Sequence, residues 1–337
     1  MDIDIILEPD VSPGEIKELG LLAESYGLNR LWAQNYSAAR DAFMSLMPLA
    51  LASERIKLGV MVVSPWEMHP LKMANSLLTL NEFSAGRAAL TVGGGGEWNG
   101  VIGVEVERRV RAVREAVELL KAACCDREVP KYEGEMFSAF GFRADWATDE
   151  PPLIYTGAGK EQMIRMSARK ADGMVLSDAV PSFTAEAMAM VNDALPSRDA
   201  SLGPFLSSNF WAWHVKEDRA AALKEARREL IIRSWLDRAH IASFMSEEDC
   251  DFVEANKGSF IRAYRDRSGD IKDVPERIIN ELLDGITSTG DLTELDQHIE
   301  RLREFKTAGL DELALRLHDD PADAIRVIGE HVAPALR

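Results

Sequence analysis

The chain has 337 residues, 46% hydrophobic and 28% charged, which permits one large domain or two ordinary ones with ample material for a core. Its 56 acidic side chains against 39 basic ones leave a formal charge of -17, which argues against general nucleic-acid or anionic-membrane binding. No apolar run approaches the ~20 residues that span a bilayer, and the acidic opening MDIDIILEPD enters a strand pattern in place of a signal peptide, so no membrane span and a cytoplasmic setting are expected.

Short apolar runs alternate with longer amphipathic ones along the chain. The first strand is Ile3–Leu7. A helix follows Ser12-Pro13-Gly14, a cap with proline at the first helical position, and stops at Gly27. The second strand is Arg30–Gln34 and the second helix runs from Asp41 to Ser53. The third strand, Ile56–Val63, breaks at Ser64-Pro65 before a helix over Pro70–Phe83. The fourth strand, Ala88–Val92, ends in four glycines and Glu97, and a long helix covers Val104–Cys125. Asp126–Glu150 reads as a long loop or small hairpin. The fifth strand is Pro152–Thr156 with a helix over Lys160–Lys170; the sixth is Gly173–Ser177 with a helix over Ser182–Ala194. The seventh strand is Pro204–Val215. A mostly helical stretch, Glu217–Leu283, and a helix over Leu292–Ala308 precede the eighth strand, Glu312–Leu317, and the last helix, Pro321–Leu336.

Eight strands with helical crossovers predict an α/β fold, a (β/α)8 TIM barrel formed as a single domain over residues 1–337, with insertions at about 126–150 and 231–285. An open doubly wound sheet is the alternative. The length and the lack of a G-x-G-x-x-G run after the first strand favour the barrel. Cys124, Cys125 and Cys250 have neither disulfide-framework nor metal-ligand spacing, so no metal is expected and a reducing compartment fits.

A barrel places its site at the C-terminal ends of the strands. Those ends carry Glu8, Asn35-Tyr36, Ser64 with His69 beyond, Gly93–Gly96 with Glu97, Thr156–Lys160, Ser177-Asp178, and Arg316-Leu317-His318. Gly157, Gly159 and Lys160 before a helix suit an anion, or simply a tight strand–helix turn. The glycine run suits a planar ring lying against bare backbone, or a close strand–helix approach. Glu97 and Glu8 are candidate acids, against solvated loop charges. Tyr36 is a candidate hydrogen-bond donor, against simple packing. His69 precedes Pro70 and reads mainly as a helix start. Trp66, Trp98, Trp211 and Trp213 suit the walls of an apolar pocket, or the core.

Four blocks together resemble the bacterial luciferase-like superfamily of flavin- and deazaflavin-dependent oxidoreductases. They are RIKLGVMVVSPWEMHPLKMANSLLTLNEFSAGRAALTVGGG at 55–95, LWAQNY at 31–36, PLIYTGAGKEQMIRMSARKADGMVLS at 152–177 and TAGLDELALRL at 307–317. The style is closest to the branch that includes F420-dependent methylenetetrahydromethanopterin reductase. The resemblance implies a barrel that holds coenzyme F420, or alternatively FMN, and acts on a small-molecule substrate as a homodimer. It implies cofactor contacts from Asn35, Met61, Val62, Ser64, Gly93, Gly94, Gly95, Thr156, Gly157, Ala158, Gly159, Lys160 and Ser177, and a non-prolyl cis peptide at Met61–Val62. It also implies catalytic roles among Glu97, Glu8 and Tyr36. Asn35-Tyr36 stands where many F420 members carry Asp-His, and Ile6 where the reductases carry a strand carboxylate, with Glu8 two residues on. Three activities follow as expectations: hydride transfer with F420, FMN-dependent monooxygenation, or a barrel without catalysis. Arg108, Arg109, Arg111, Lys160 and Arg165 are candidates for a basic channel toward the acidic tail of F420.

Overall fold

In the computed structural model, which describes all of residues 1–337, eight parallel strands close into a ring. They are β1 (Asp2–Ile6), β2 (Arg30–Gln34), β3 (Lys57–Val63), β4 (Ala88–Val92), β7 (Leu153–Gly157), β8 (Gly173–Ser177), β9 (Leu206–Lys216) and β11 (Glu312–Arg316), in that order around the ring, with β11 returning to β1. The expected barrel is therefore present. Glu128–Glu133 (β5) and Ser138–Arg143 (β6) form an antiparallel hairpin within the first insertion. A further strand, Thr287–Asp291 (β10), was not expected. It pairs in parallel with residues 212–216 of β9, beyond the part of β9 that pairs with β8. Its sequence, TSTGD, has no apolar run to announce it.

The crossover helices are α1 (Pro13–Ser25), α2 (Ala42–Ala52), α3 (Pro70–Phe83), α4 (Glu97–Val101), α5 (Arg109–Lys121), α6 (Glu161–Lys170) and α7 (Pro181–Ala194). Ser12 and Glu15 form a capping box at the start of α1, and Asp41 caps α2. The helix expected over Val104–Cys125 starts later, at Arg109, and ends in a π-turn at Ala122–Asp126, while Glu97 opens the separate short α4. After β9 comes α8 (Arg219–Glu229), and the segment expected as the second insertion holds α9 (Arg238–Ile241), α10 (Glu247–Ala255), α11 (Lys257–Arg265) and α12 (Glu276–Ile286). Then come α13 (Leu295–Thr307), α14 (Pro321–Val327) and α15 (Ala333–Leu336). No helix is long and apolar enough to cross a membrane.

Alternate residues of each strand point into the ring. Ile6, Trp32, Met61, Ala89, Tyr155, Val175 and Ala314 fill its middle layer. Gly59 makes room for Trp32, because a Cβ there would lie 2.0 Å from Trp32 Cε3. Beneath them the N-terminal end is plugged by charge. Arg30 lies 3.0 Å from Asp4 and 2.9 Å from Glu312, with its guanidinium 4.9 Å from the Trp32 ring centre and 5.0 Å from that of Tyr155. The Trp32 indole donates to Asp4 and the Tyr155 hydroxyl to Glu312. Burial pushes the Asp4 carboxyl up to about 7, against the pull of Arg30. With this end closed, only the C-terminal mouth can admit a ligand.

Trp211 and Trp213 are buried in the main core between ring and helices, Trp211 bonding Ser288 Oγ at 3.0 Å, so they do not wall a pocket. Residues of the second insertion make a core of their own, joined by Ala226 of α8, Leu230 just after it and Val180 of the β8 loop.

Candidate active site

The floor of the mouth is built by β3, β4 and β7. The Met61–Val62 peptide is cis, and the β3–β4 register shifts between Val60 and Val63. The resulting bulge turns Val62 against β4: a Cβ on Gly93 would lie 2.2 Å from Val62 Cγ1. Close packing thus accounts for Gly93. A Cβ on Gly157 would make ordinary contacts with Gly93 Cα at 3.9 Å and with Val62 Cγ1 and Val92 O at 4.0 Å, so backbone and one valine methyl form this patch of floor.

Beside it a cleft of about 500 Å³ opens between Gly94, Gly95, Arg109, Gly159, Lys160 and Met163. Lys160 begins α6 without a side-chain cap, so the first amides of that helix are free for an anion. Neither Arg109 nor Lys160 is in an ion pair, whereas Arg108 and Arg111 are both held by Glu135 and Arg165 by Glu161 and Asp193. Of the five basic residues picked from the sequence, two face the cleft. Cationic side chains, free helix amides and bare glycine backbone fit the phosphate of a nucleotide-like cofactor.

At the ends of β2 and β3, the Asn35 amide accepts nothing and donates twice, to Val62 O at 3.1 Å and to Glu67 Oε1 at 2.5 Å. Its main-chain N–H donates to Met61 O at 2.7 Å. Burial raises the Glu67 carboxyl above its ordinary value, opposed by hydrogen bonds from Ser64 and Asn35. Ser64 is buried and bonds Asn99.

On the opposite side, Glu8 Oε1 accepts from Arg316 Nε at 3.0 Å. His318 Nδ1 lies 3.1 Å from the same oxygen, at an angle that makes it an ion contact rather than a hydrogen bond. Burial alone would raise the Glu8 carboxyl, but Arg316 and His318 hold it well below the usual range. It therefore stays ionised and orients its neighbours. His318 stacks on His214 with ring centres 4.7 Å apart, and His214 Nδ1 is 2.8 Å from Glu225. Asp178, at the end of β8, is paired with the fully buried Arg233 at 3.0 Å.

Ser234, Trp235 and Leu236 follow Arg233 with φ values of 47°, 55° and 46°, a left-handed turn without glycine. The Ser234 hydroxyl donates to Ser177 O at 2.8 Å and its N–H to Asp178. Trp235 stands exposed beside this contact.

The structure brings Glu8 and half-buried Tyr36 to the mouth together with Arg316. Glu97 does not join them; it lies on the exposed rim, bonded by the Ser37 hydroxyl. Thr156 turns away from the cleft: it is fully buried and its hydroxyl bonds Ser167 Oγ, tying β7 to α6. Ala158 is buried with its N–H on Val175 O, and Ser177 is exposed at the rim. His69 caps α3, accepting from Leu71 N at 3.2 Å. Sequence reasoning assigned no role to Glu67 or Arg316. For Arg316 a signal existed, since it shares strand parity with Glu312. For Glu67 there was none, because the loop geometry after Pro65 decides where it points.

The fold and mouth define a flavin- or deazaflavin-type oxidoreductase barrel, and comparison with known proteins agrees. Residues 3–312 match the luciferase-like monooxygenase family model, and the chain belongs to that family. It is 27% identical over 342 residues to the 5,10-methylenetetrahydromethanopterin reductase of Archaeoglobus fulgidus, covering 100% of both chains. Among solved structures it is similar to the coenzyme F420-dependent tetrahydromethanopterin reductase of Methanopyrus kandleri (TM-score 0.81, 19% identity, 100% of this chain and 99% of that one). It also superimposes on the FMN-bound oxygenating constituent of 3,6-diketocamphane monooxygenase from Pseudomonas putida (TM-score 0.68, 17% identity, 99% and 98%). These two structural likenesses show the fold. The family consists of oxidoreductases that use F420 or FMN.

Proposed function

We propose that this chain transfers hydride between coenzyme F420 and a small organic substrate. The observation that carries this reading is the end-to-end relationship to a methylenetetrahydromethanopterin reductase, joined to a cationic, glycine-floored cleft beside the β3 bulge. F420, when bound, supplies the hydride chemistry; the chain supplies binding, orientation and proton handling. Arg109, Lys160 and the α6 amides would hold the phosphate. Gly93, Gly157 and Val62 would lie against the ring. Glu67, whose carboxyl burial raises above its ordinary value, is the better suited of the two to carry a proton, whereas Arg316 and His318 keep Glu8 ionised. A cytoplasmic homodimer is part of the reading. In its support, Met44 and Leu51 stand 73% and 68% exposed two turns apart on α2, an apolar stripe that a second copy would cover.

FMN-dependent monooxygenation is the second reading, favoured by the likeness to the FMN-bound oxygenase. Absorbance titration of the purified protein with F420 and with FMN separates the two. Tight FMN binding without F420 binding would sink the first, and oxygen uptake with reduced FMN would then establish the second.

A further inference from the structure

Two guanidinium groups near the mouth, those of Arg316 and Arg233, each have nitrogens that make no hydrogen bond within the chain. Arg316 shares the parity of Glu312 and Ala314, which point into the ring, so it is the uppermost inward residue of β11. It is only 5% exposed. Its Nε is used on Glu8, and its two terminal nitrogens make no hydrogen bond within the chain. Arg233, across Asp178 from it, likewise has Nε and Nη2 without an acceptor. Buried donors in folded proteins are paired with few exceptions. An acceptor from outside the chain would complete the set.

Charge and shape narrow what that acceptor is. Glu8 and Asp178 balance the two guanidinium groups, so the cluster is neutral before any ligand arrives and its donors can stay buried. Arg316 presents its terminal nitrogens as a planar fork, the geometry that a carboxylate meets with two parallel bonds. Tyr36 and Tyr264 lie within electrostatic reach of the same guanidinium, Tyr264 arriving from α11 of the insertion. Position narrows it further. β4 and β11 are four strands apart in a ring of eight, hence diametrically opposite. A ring resting on Gly93 leaves Arg316 facing it across the mouth, where the non-reacting end of a substrate would lie.

We propose that the substrate carries a carboxylate and that Arg316, held in place by Glu8, binds it. This rests on the reading above that the β3–β4–β7 floor holds the cofactor ring.

The test is calorimetric titration of the cofactor-free protein with hexanoate and benzoate, with hexanamide and benzamide as neutral counterparts, and with inorganic phosphate. It compares wild type, Arg316→Gln and Arg316→Lys, with thermal melting to show that each is folded. The carboxylates are expected to bind wild type and to weaken roughly 10- to 100-fold in Arg316→Gln, the worth of a charged hydrogen bond. Arg316→Lys is expected to fall between, and the amides to bind wild type at least about 10-fold more weakly than the acids. Equal carboxylate affinity in Arg316→Gln and wild type, no carboxylate binding by wild type, or preference for phosphate would each overturn the proposal. If Arg316→Gln does not fold, Arg316→Lys and the acid–amide contrast in wild type decide. F420 and FMN titrations of the same proteins stand apart: failure of both on wild type removes the cofactor reading, while the carboxylate titration reports on Arg316 by itself.

Discussion

Asn35 and Glu67 are joined by a 2.5 Å hydrogen bond, and the same amide reaches Val62 O, so one side chain fixes a half-buried acid to the β3 bulge. Asn35 follows β2 directly and its N–H donates to Met61 O, while Glu67 is placed by the turn after β3, where its own N–H donates to Ser64 O.

Glu67→Gln keeps the acceptor for Asn35 and removes the titrating proton. Hydride transfer is expected to slow by about 100-fold or more, with F420 affinity changed less than about threefold. Single-turnover absorbance of F420 reads the first and fluorescence titration the second. Unchanged turnover would remove Glu67 from proton handling.

Arg109 and Lys160 face the cleft with no ion-pair partner. Replacing either by Met is expected to weaken cofactor binding roughly 10-fold, the cost of one charged contact, and to flatten its dependence on salt. Arg111→Met, whose guanidinium is already held by Glu135, serves as the control and is expected to have little effect. A loss in Arg111→Met equal to that in Lys160→Met would argue against a localised phosphate site.

The closed end of the barrel should show in the pH dependence of stability. Asp4 titrates at 3.8 when unfolded and at about 7 in the ring, so the folded state keeps a proton that the unfolded chain releases. Its contribution to stability is complete below the unfolded value and is lost as pH rises through about 7. Urea unfolding of wild type and Asp4→Asn between about pH 5 and 8 checks this: the variant should lack that downward slope. Arg30→Met, which leaves Asp4 and Glu312 buried without their cation, is expected to cost about 3–5 kcal/mol.

If α2 is a subunit interface, Met44→Glu together with Leu51→Glu should yield a monomer in sedimentation with the melting profile of a folded barrel. A wild-type monomer would dispose of the homodimer.

Much of the barrel was legible because fully buried parallel strands read as continuous apolar runs, as in KLGVMVV, and because capping signals such as Ser12-Pro13-Gly14 mark helix starts. β10 was not, since TSTGD has no apolar residue to mark it, although Thr287, Ser288 and Gly290 are buried where it pairs with the outer half of β9. The glycine cradle and the Lys160 turn were visible as composition. Which of Arg108, Arg109 and Arg111 faces the cleft was not, because Glu135, 24 or more residues away in sequence from each, withdraws two of them through the hairpin. Glu8 could be named as an acid, but its ionised state depends on Arg316 and His318, which close the ring from the far end of the chain.

The turn at Ser234–Leu236 bears on how this protein could be engineered. Three residues with side chains held left-handed cost roughly 1–2 kcal/mol each, and glycine would relieve that at any of them. Yet Leu236 is buried in the insertion core and Ser234 grips the end of β8, so only Trp235, 66% exposed, is free to change. A thermostabilising search within this turn would converge on Trp235→Gly, which strips an exposed aromatic ring from the segment that grips the end of β8.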